Sequence, residues 1–473
     1  MSKHPDWATK HRTKGTELRL INGHYYLYSV TSKWDPEIKR ARKITGKILG
    51  KITEQDGFIE SDKRKLDKKT VKIEKIVVKE SGVTSFIENN VGDFKDLLKK
   101  HFPDYWEELL ILSYSRFAFC SPFKNVENNY YNSYLDVIYP NLQLNPKNIT
   151  QILKQIGSDR SAITNFFKEF HISDDKILFD GTDLISNSKR MDSPKLGICK
   201  NGTYDSLVNV MFAFSANQNM PVYYRIIPGD IKDIKAFKLC LKESGLEDVT
   251  IIADKGFISQ SNIDFLDKEK IKYIIPLKRN SNLIDYSKLN SSDKRSFDGY
   301  FNYNKKIIWY YSIEVDEKRV CVFFDEQLKC QEEKDYLERI DKIQDGYTLE
   351  NFYEKQNRFG TISMYDNSGK FIKDVYLNYK NRNCIEQMFD TLKNTFDADR
   401  SYMQTEEALE AWMFINFIVL QWYYRLFTLL SSNKLTDKYS PKDIINFLIN
   451  VRKVKINDEW YLAEITKKNK EVL

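Results

Sequence analysis

The spacing of apolar positions changes character several times along this chain. Residues 14–55 are rich in alternating strand-like residues. Segments 16–21 and 24–30 flank Asn22-Gly23, a hairpin signal because both turn residues accept positive φ, and 43–53 adds further strand-like residues. Residues 56–80 are charged and linker-like. From Asp93 to Phe170 apolar residues recur at helical spacing. Within that stretch, 148–156 and 159–170 resemble two helices joined tightly at Gly157-Ser158. Such a pair is either a helix-turn-helix of the kind that reads DNA or a plain packing hairpin.

Shorter β-branched runs follow. They predict strands at 176–184, 206–215, 222–227, 250–253 and 272–277, with helices at 231–244 and 260–270. Segments 306–314 and 319–325 predict a further strand pair, 327–340 a charged helix, and 360–364 and 371–377 two more strands. Residues 376–398 read as one helix and 405–430 as another. The latter holds the one long apolar stretch, 412–430. Gln421 and Arg425 interrupt it and Glu406, Glu407 and Glu410 precede it, so a buried core helix explains it better than a membrane span.

The chain has 473 residues, enough for several domains with an ample core. Its net charge of +7 is unevenly placed. Residues 1–80 hold 20 Lys and Arg against 11 Asp and Glu, and the remainder holds 54 against 56. The basic excess therefore sits at the N-terminus, as in a phosphate-binding arm. There Arg19, Lys39, Arg40, Arg42, Lys43 and Lys47 lie among aromatic and strand-like residues, which favours an ordered DNA-binding element over a solubilising tail. The six cysteines form no CxxC pair, which argues against zinc and disulfides and suits a reducing cytoplasm. All five histidines precede the first core strand, which excludes a histidine-based active site inside the core. No signal peptide is visible.

Three carboxylates carry the candidate chemistry. In Lys176-Ile-Leu-Phe-Asp180-Gly-Thr-Asp183 an apolar run ends in Asp180, and in Val249-Thr-Ile-Ile-Ala-Asp254-Lys-Gly256 another ends in Asp254. Each reads as a buried strand delivering a carboxylate at its C-terminal end, where α/β sheets place active sites. The third lies in Tyr379-x₂-Arg382-x₃-Glu386-x₆-Lys393, whose offsets of 3, 4 and 7 put all four side chains on one face of an α-helix. A carboxylate suited to a divalent ion, flanked by cations suited to phosphate, is what DNA strand cleavage needs. Asp183 is the rival to Asp180, but an offset of three points it to the other face of its strand. Asp230 and Asp233 fit turn and N-cap roles. Asp390, one turn past Glu386, shares the helix face.

Together these motifs resemble the Asp-Asp-Glu transposases of bacterial insertion sequences, in particular the group marked by Tyr-x₂-Arg-x₃-Glu-x₆-Lys, all four of whose residues are present here. Asp254-Lys-Gly-Phe resembles that group's Asp-Arg-Gly-Phe/Tyr, with Lys255 in place of arginine. The charge is kept but a bidentate grip is lost. Residues 225–233 resemble the group's strand and Pro-Gly turn.

The resemblance implies an α/β fold: an RNase H-like catalytic core interrupted by a β-rich insertion domain and preceded by a β-hairpin and helical N-terminal DNA-binding region. The predicted order, three strands and then alternating helix and strand, agrees with such a core. In that fold the first and fourth strands are neighbours, so Asp180 and Asp254 are expected side by side. The 132 positions between Asp254 and Glu386 leave room for the insertion. The expected divisions are a basic arm and linker at 1–92, a helical DNA-binding or packing domain at 93–170, the first part of the core at 171–280, the insertion at 281–375, the final core helices at 376–430 and a polar tail at 431–473.

The resemblance also implies a function. The expected protein is a cut-and-paste transposase that cleaves double-stranded DNA at its element's terminal inverted repeats and joins it to target DNA. It is expected to act as a homodimer in the bacterial cytoplasm, at the nucleoid, with no membrane partner. Asp180, Asp254 and Glu386 are the expected ligands of Mg²⁺, with Mn²⁺ as a substitute. Tyr379, Arg382, Lys393 and Lys255 are the expected DNA-binding set, and Trp309 is a candidate to stack on an extruded base. Two other readings share these residues. One is a domesticated relative that only binds DNA, against which the intact carboxylates count. The other is a non-transposing nuclease of the same fold, against which the Tyr-Arg-Lys set and the large insertion count.

Overall fold

The computed structural model describes residues 4–35, 38–61, 75–199, 202–228, 233–257, 259–290, 293–315 and 318–470. The chain divides into two compact units, Met1–Val77 with Lys455–Glu459 and Val78–Val454 with Trp460–Leu473. In the first unit, β1 (Thr16–Ile21), β2 (His24–Asp35), β3 (Arg40–Thr53) and β4 (Gly57–Glu60) form an antiparallel sheet in chain order. The expected hairpin is present: Ile21 pairs with His24 across Asn22 and Gly23, both at positive φ. Leu18, Leu27, Ile52 and Ala8 form its small core.

Among the described residues the second unit is built on one mixed sheet of eleven strands. Its centre consists of β5 (Asp175–Ser186), β6 (Lys195–Ile198), β7 (Tyr204–Ser215), β8 (Met220–Pro228), β9 (Val249–Ala253) and β10 (Lys272–Pro276). β5, β7 and β8 run antiparallel in succession, while β9 lies parallel to β5 and β10 parallel to β9. The first and fourth of the strands expected from the sequence are therefore neighbours, with Phe179 opposite Ala253. Ile177, Leu178 and Phe179 are buried in succession and so is all of β9, the pattern of strands covered on both faces. The Pro-Gly turn after β8, with Asp230, lies outside the described residues, as does the side chain of Asp233.

The strands that follow continue this sheet rather than starting another. β11 (Gly299–Tyr303), β12 (Lys306–Val315), β13 (Lys318–Asp325) and β14 (Thr361–Asp366) add on antiparallel, with β14 hydrogen-bonded to β10. The charged helix is found at Glu326–Asp341. The strand expected over 371–377 is instead part of a helix, Ile372–Lys380. Its β-branched and aromatic residues satisfy either period. Tertiary packing decides, because the helix buries Val375 and sets Tyr376 against Phe301, Tyr303 and Phe323.

Helices close the other face. Among the described residues the helix Glu406–Ser432 is the one long and apolar enough to cross a membrane, but it is buried as a core helix. Two helices, Pro146–Ser158 and Arg160–Lys168, are joined by Asp159 alone, whose side chain caps the second by accepting from Ala162 N at 2.9 Å. The second turns Phe166 and Phe167 onto Phe414 and Phe417. A Cβ on Gly157 in the first would lie 1.7 Å from the Glu407 carbonyl oxygen. The pair thus packs against the core helix. In the tail, read from sequence as polar, a Ser440–Asp443 capping box starts a helix at Pro441–Ile449.

Arg160 ties this hairpin to the sheet. It donates to Glu243 at 2.7 Å, Glu410 at 2.8 Å and the Tyr224 carbonyl at 2.8 Å. Burial alone would raise the Glu243 carboxyl, but hydrogen bonds from Arg160 and Tyr223 and the charge of Arg225 pull it down to about 2. A depressed carboxyl stabilises the fold above its unfolded range and loses that contribution as pH falls through its folded value. Glu243→Gln is therefore expected to lower unfolding free energy by about 3 kcal/mol at pH 7. The difference should close as pH falls from about 4.5 towards 2, as read by chemical denaturation across that range.

Candidate active site

The site forms where β5, the end of β9 and a broken helix meet. Asp180 ends the apolar run but not the strand: β5 covers the predicted 176–184 and runs on to Ser186, so Asp180 sits in its middle, held by β7 on one side, while Arg400–Ser401 pairs with its end on the other. Gly181 N donates to Asp180 Oδ1 at 2.9 Å. Asp254 directly follows β9, as expected, so the register of Phe179 with Ala253 sets the two aspartates side by side.

The single helix expected over 376–398 is in fact three segments: Ile372–Lys380, Asn383–Asp390 and a π-helical turn at Thr391–Thr395. Tyr379 lies in the last turn of the first, Arg382 sits at the junction, Glu386 lies in the second and Lys393 in the third, so the four do not share one regular helix face. At the junction the backbone tightens to three-residue spacing, with Arg382 N on Tyr379 O, Cys384 N on Asn381 O and Ile385 N on Arg382 O. The second segment buries Ile385, Met388 and Phe389, the last against Phe212 of β7. That anchors Glu386 over the sheet. Buried Arg116 holds the far end by donating to Phe396 O, and to Asn416 Oδ1 at 3.1 Å, while Cys120 Sγ reaches Thr395 O at 3.2 Å.

One guanidinium joins the three carboxylates. Arg382 Nη2 lies 3.0 Å from Asp180 Oδ2 and 3.8 Å from Asp254 Oδ2, and Nη1 lies 3.0 Å from Glu386 Oε1. Burial pushes the Asp180 carboxyl above its ordinary range in spite of Arg382 and Gly181. Burial would lower the Arg382 pKa, but Asp180, Asp254 and Glu386 together hold it above its ordinary value. Burial likewise raises the Tyr379 hydroxyl, against the pull of Arg382. Among the described residues no group of three acidic, histidine or cysteine side chains is disposed to hold a metal ion as it stands. Yet three hard oxygen donors converge on one positive group, the donor chemistry that Mg²⁺ takes. Arg382 lies among these three donors, so a cation bound by all three carboxylates would take over its role as their counter-charge.

The other sequence candidates are placed as follows. Lys255 is exposed in the short turn after Asp254, and Lys393 is half-buried. By strand alternation Asp183 faces away from Asp180. Asp390 accepts from Asn394 at 2.6 Å. Trp309 is half-buried in β12, packed between Tyr300 and Phe297 with Lys294 over its ring. The sequence reading did not foresee Arg382 as the counter-ion of all three carboxylates. Its spacing to Glu386 shows the i,i+4 pair, but its partner Asp180 is 202 positions away.

A family model described as the transposase DDE domain matches residues 173–422. Among solved structures, the chain is similar at 11% identity to a piggyBac transposase synaptic complex with hairpin DNA, with a TM-score of 0.36 over 72% of this chain and 69% of that one. No curated protein matches.

Arg382→Gln removes the cation from three neighbouring carboxylates. In EDTA at pH 7 it is expected to lower unfolding free energy by about 1.5–3 kcal/mol. Asp180, with its carboxyl already raised, favours the folded state in its protonated form and loses that contribution as pH rises. The deficit of the variant should therefore narrow towards pH 4. Equal stability of the two proteins at every pH would mean that Arg382 is not seated between the carboxylates.

Proposed function

The chain belongs to the DDE transposase family, and from that premise we propose that it is the cut-and-paste transposase of an insertion sequence, cleaving at terminal inverted repeats and joining the freed ends to target DNA. The observation that carries the proposal is the meeting of Asp180, Asp254 and Glu386 around a single cation. They come from a strand, a strand end and a helix that are far apart in the chain, on what we take as an RNase H-like core widened by the inserted strands.

Asp180, Asp254 and Glu386 would hold Mg²⁺, with Mn²⁺ as a substitute. Bound divalent ions supply activation of the attacking oxygen and stabilisation of the leaving one. The protein's own residues do the rest. β5 and the end of β9 fix two carboxylates on adjacent strands, and the helix Asn383–Asp390 brings the third from above. Arg382 neutralises the triad while it is unloaded and is a bidentate phosphate donor when it swings away. Lys255, next to Asp254, and Lys393, two turns beyond Glu386, offer further charge to the same backbone. Tyr379 and Trp309 offer aromatic surface, Trp309 as the candidate to stack on an extruded base. Two ends must be joined, which favours a homodimer working on the bacterial nucleoid.

The test is cleavage of DNA from the gene's own locus, flanks included, with Mg²⁺. The wild type is expected to cut at paired inverted repeats. Asp254→Asn and Glu386→Gln should leave those repeats uncut, in Mn²⁺ as well, while Glu386→Gln binds them undiminished. Normal cleavage by Glu386→Gln would sink the site assignment. Binding at the repeats with no cleavage by any of the three proteins would favour a domesticated DNA-binding relative.

A further inference from the structure

Beyond the carboxylates, the feature of the first unit that asks for a ligand is the far half of its β2–β3 hairpin. From Val30 opposite Thr45 to Asp35 opposite Arg40 the two strands run on together for six residue pairs, about 17 Å, and neither β1 nor β4 accompanies them. Thr31 to Trp34 and Arg40 to Ile44 are all exposed, so this ribbon has no core on either face. A two-stranded ribbon of that kind is marginal alone.

Its construction is specific nonetheless. The register shifts at Tyr28 and again before Val30, where the ribbon leaves the sheet. Opposite this bulge stands Gly46, where a Cβ would lie 2.4 Å from Ser29 Oγ. Bulges of this kind bend and re-aim a strand pair. Arg19 pins the base through Thr45 Oγ1 at 2.6 Å, and Glu17 engages both Arg19 and Lys43.

The charge pattern names the ligand class. From Val30 to Thr45 the chain holds Lys33, Lys39, Arg40, Arg42 and Lys43 against Asp35 and Glu37, a local excess of three positive charges. Lys33 stands directly opposite Arg42, so two like charges face each other on one side of the ribbon. Such a pair weakens a free ribbon and is relieved by a shared anion. Trp34 is 61% exposed and Ile44 44%, which alone would suit a protein partner. Protein interface cores are poor in lysine, however, and a lysine- and arginine-lined ribbon matches a polyanion. The major groove of duplex DNA admits a two-stranded ribbon, whereas the minor groove is about half as wide.

We propose that the β2–β3 ribbon is a DNA-reading arm that enters the major groove, with Lys33 and Arg42 directed at base edges and Lys39 and Arg40 at the flanking phosphates. This rests on the reading that duplex DNA is the substrate, and it adds where and how the duplex is held.

The test uses the full-length protein in EDTA, so that binding is read whether or not the carboxylates cut. The probes are labelled fragments tiling the gene's own flanks and a shuffled-sequence fragment, at physiological ionic strength. Wild type should bind one flank fragment preferentially, with methylation at guanine N7 interfering. Lys33→Ala/Arg42→Ala should lose roughly tenfold or more in affinity for that fragment, and with it the guanine interference. Arg42→Lys should keep affinity for the shuffled fragment but lose guanine interference, because the bidentate fork is gone. The arm is overturned if the double variant melts like wild type and binds with the same affinity and footprint. It is overturned equally if interference falls only on adenine N3, in the minor groove. A wild-type guanine footprint combined with no cleavage in Mg²⁺ would sustain the arm and count against the transposase reading instead.

Discussion

The rest of this molecule's candidate chemistry depends on one guanidinium among three carboxylates. Two unit charges about 4 Å apart near a protein surface interact by roughly 4 kcal/mol. Asp180, Asp254 and Glu386 each lie within 4 Å of this one guanidinium, which offsets the repulsion among them. Arg382 suits the place because its planar fork offers donors in two directions, Nη1 to the helix carboxylate and Nη2 to the strand carboxylates. Its Nε is buried without an acceptor, so its hydrogen bonds to the site run through the two terminal nitrogens.

That arrangement constrains the backbone around it. An unbroken α-helix would carry Arg382 and Glu386 on one face with Tyr379 and Lys393. At the tightened junction 381–385 the Arg382 side chain instead reaches Asp180 and Asp254, while Glu386 stays on a helix packed by Ile385 and Met388. At the far end the π-helical turn widens the spiral before Phe396, and Arg116 and Cys120 tie that end to the helical layer. Wide turns inside helices recur at functional sites because they re-aim side chains without ending the helix.

Much of this was legible in the chain. Buried strands announced themselves as β-branched runs, and Asp254 after Ala253 was placed correctly because Gly256 follows at once. Asp180 was placed at a strand end for the same reason, with Gly181 after it. Yet β5 continues, since its pairing with β7 and with Arg400–Ser401 outweighs the weak strand preference of Gly181 and Asp183. Segment 371–377 was misread because Val375 and Tyr376 suit both periods and only the distant Phe301 and Phe323 decide between them. The break at Arg382 and the π-helical turn have no local signal at all. They follow from salt bridges and packing across some 200 positions, which no window of sequence contains.

The same contrast separates the two charges of this helix region by what holds each of them. Glu386 is carried on a fixed backbone because Ile385, Met388 and Phe389 of its segment are buried and the chain beyond the π-helical turn is clamped by Arg116. Arg382 lies before the packed segment and is held by its ion pairs to the three carboxylates and by Tyr379. An interaction made only of charge is the one most readily exchanged for another charge, whereas burial of Ile385, Met388 and Phe389 resists any such exchange. The fold therefore fixes the helix backbone under Glu386 by apolar packing and seats Arg382 by charge.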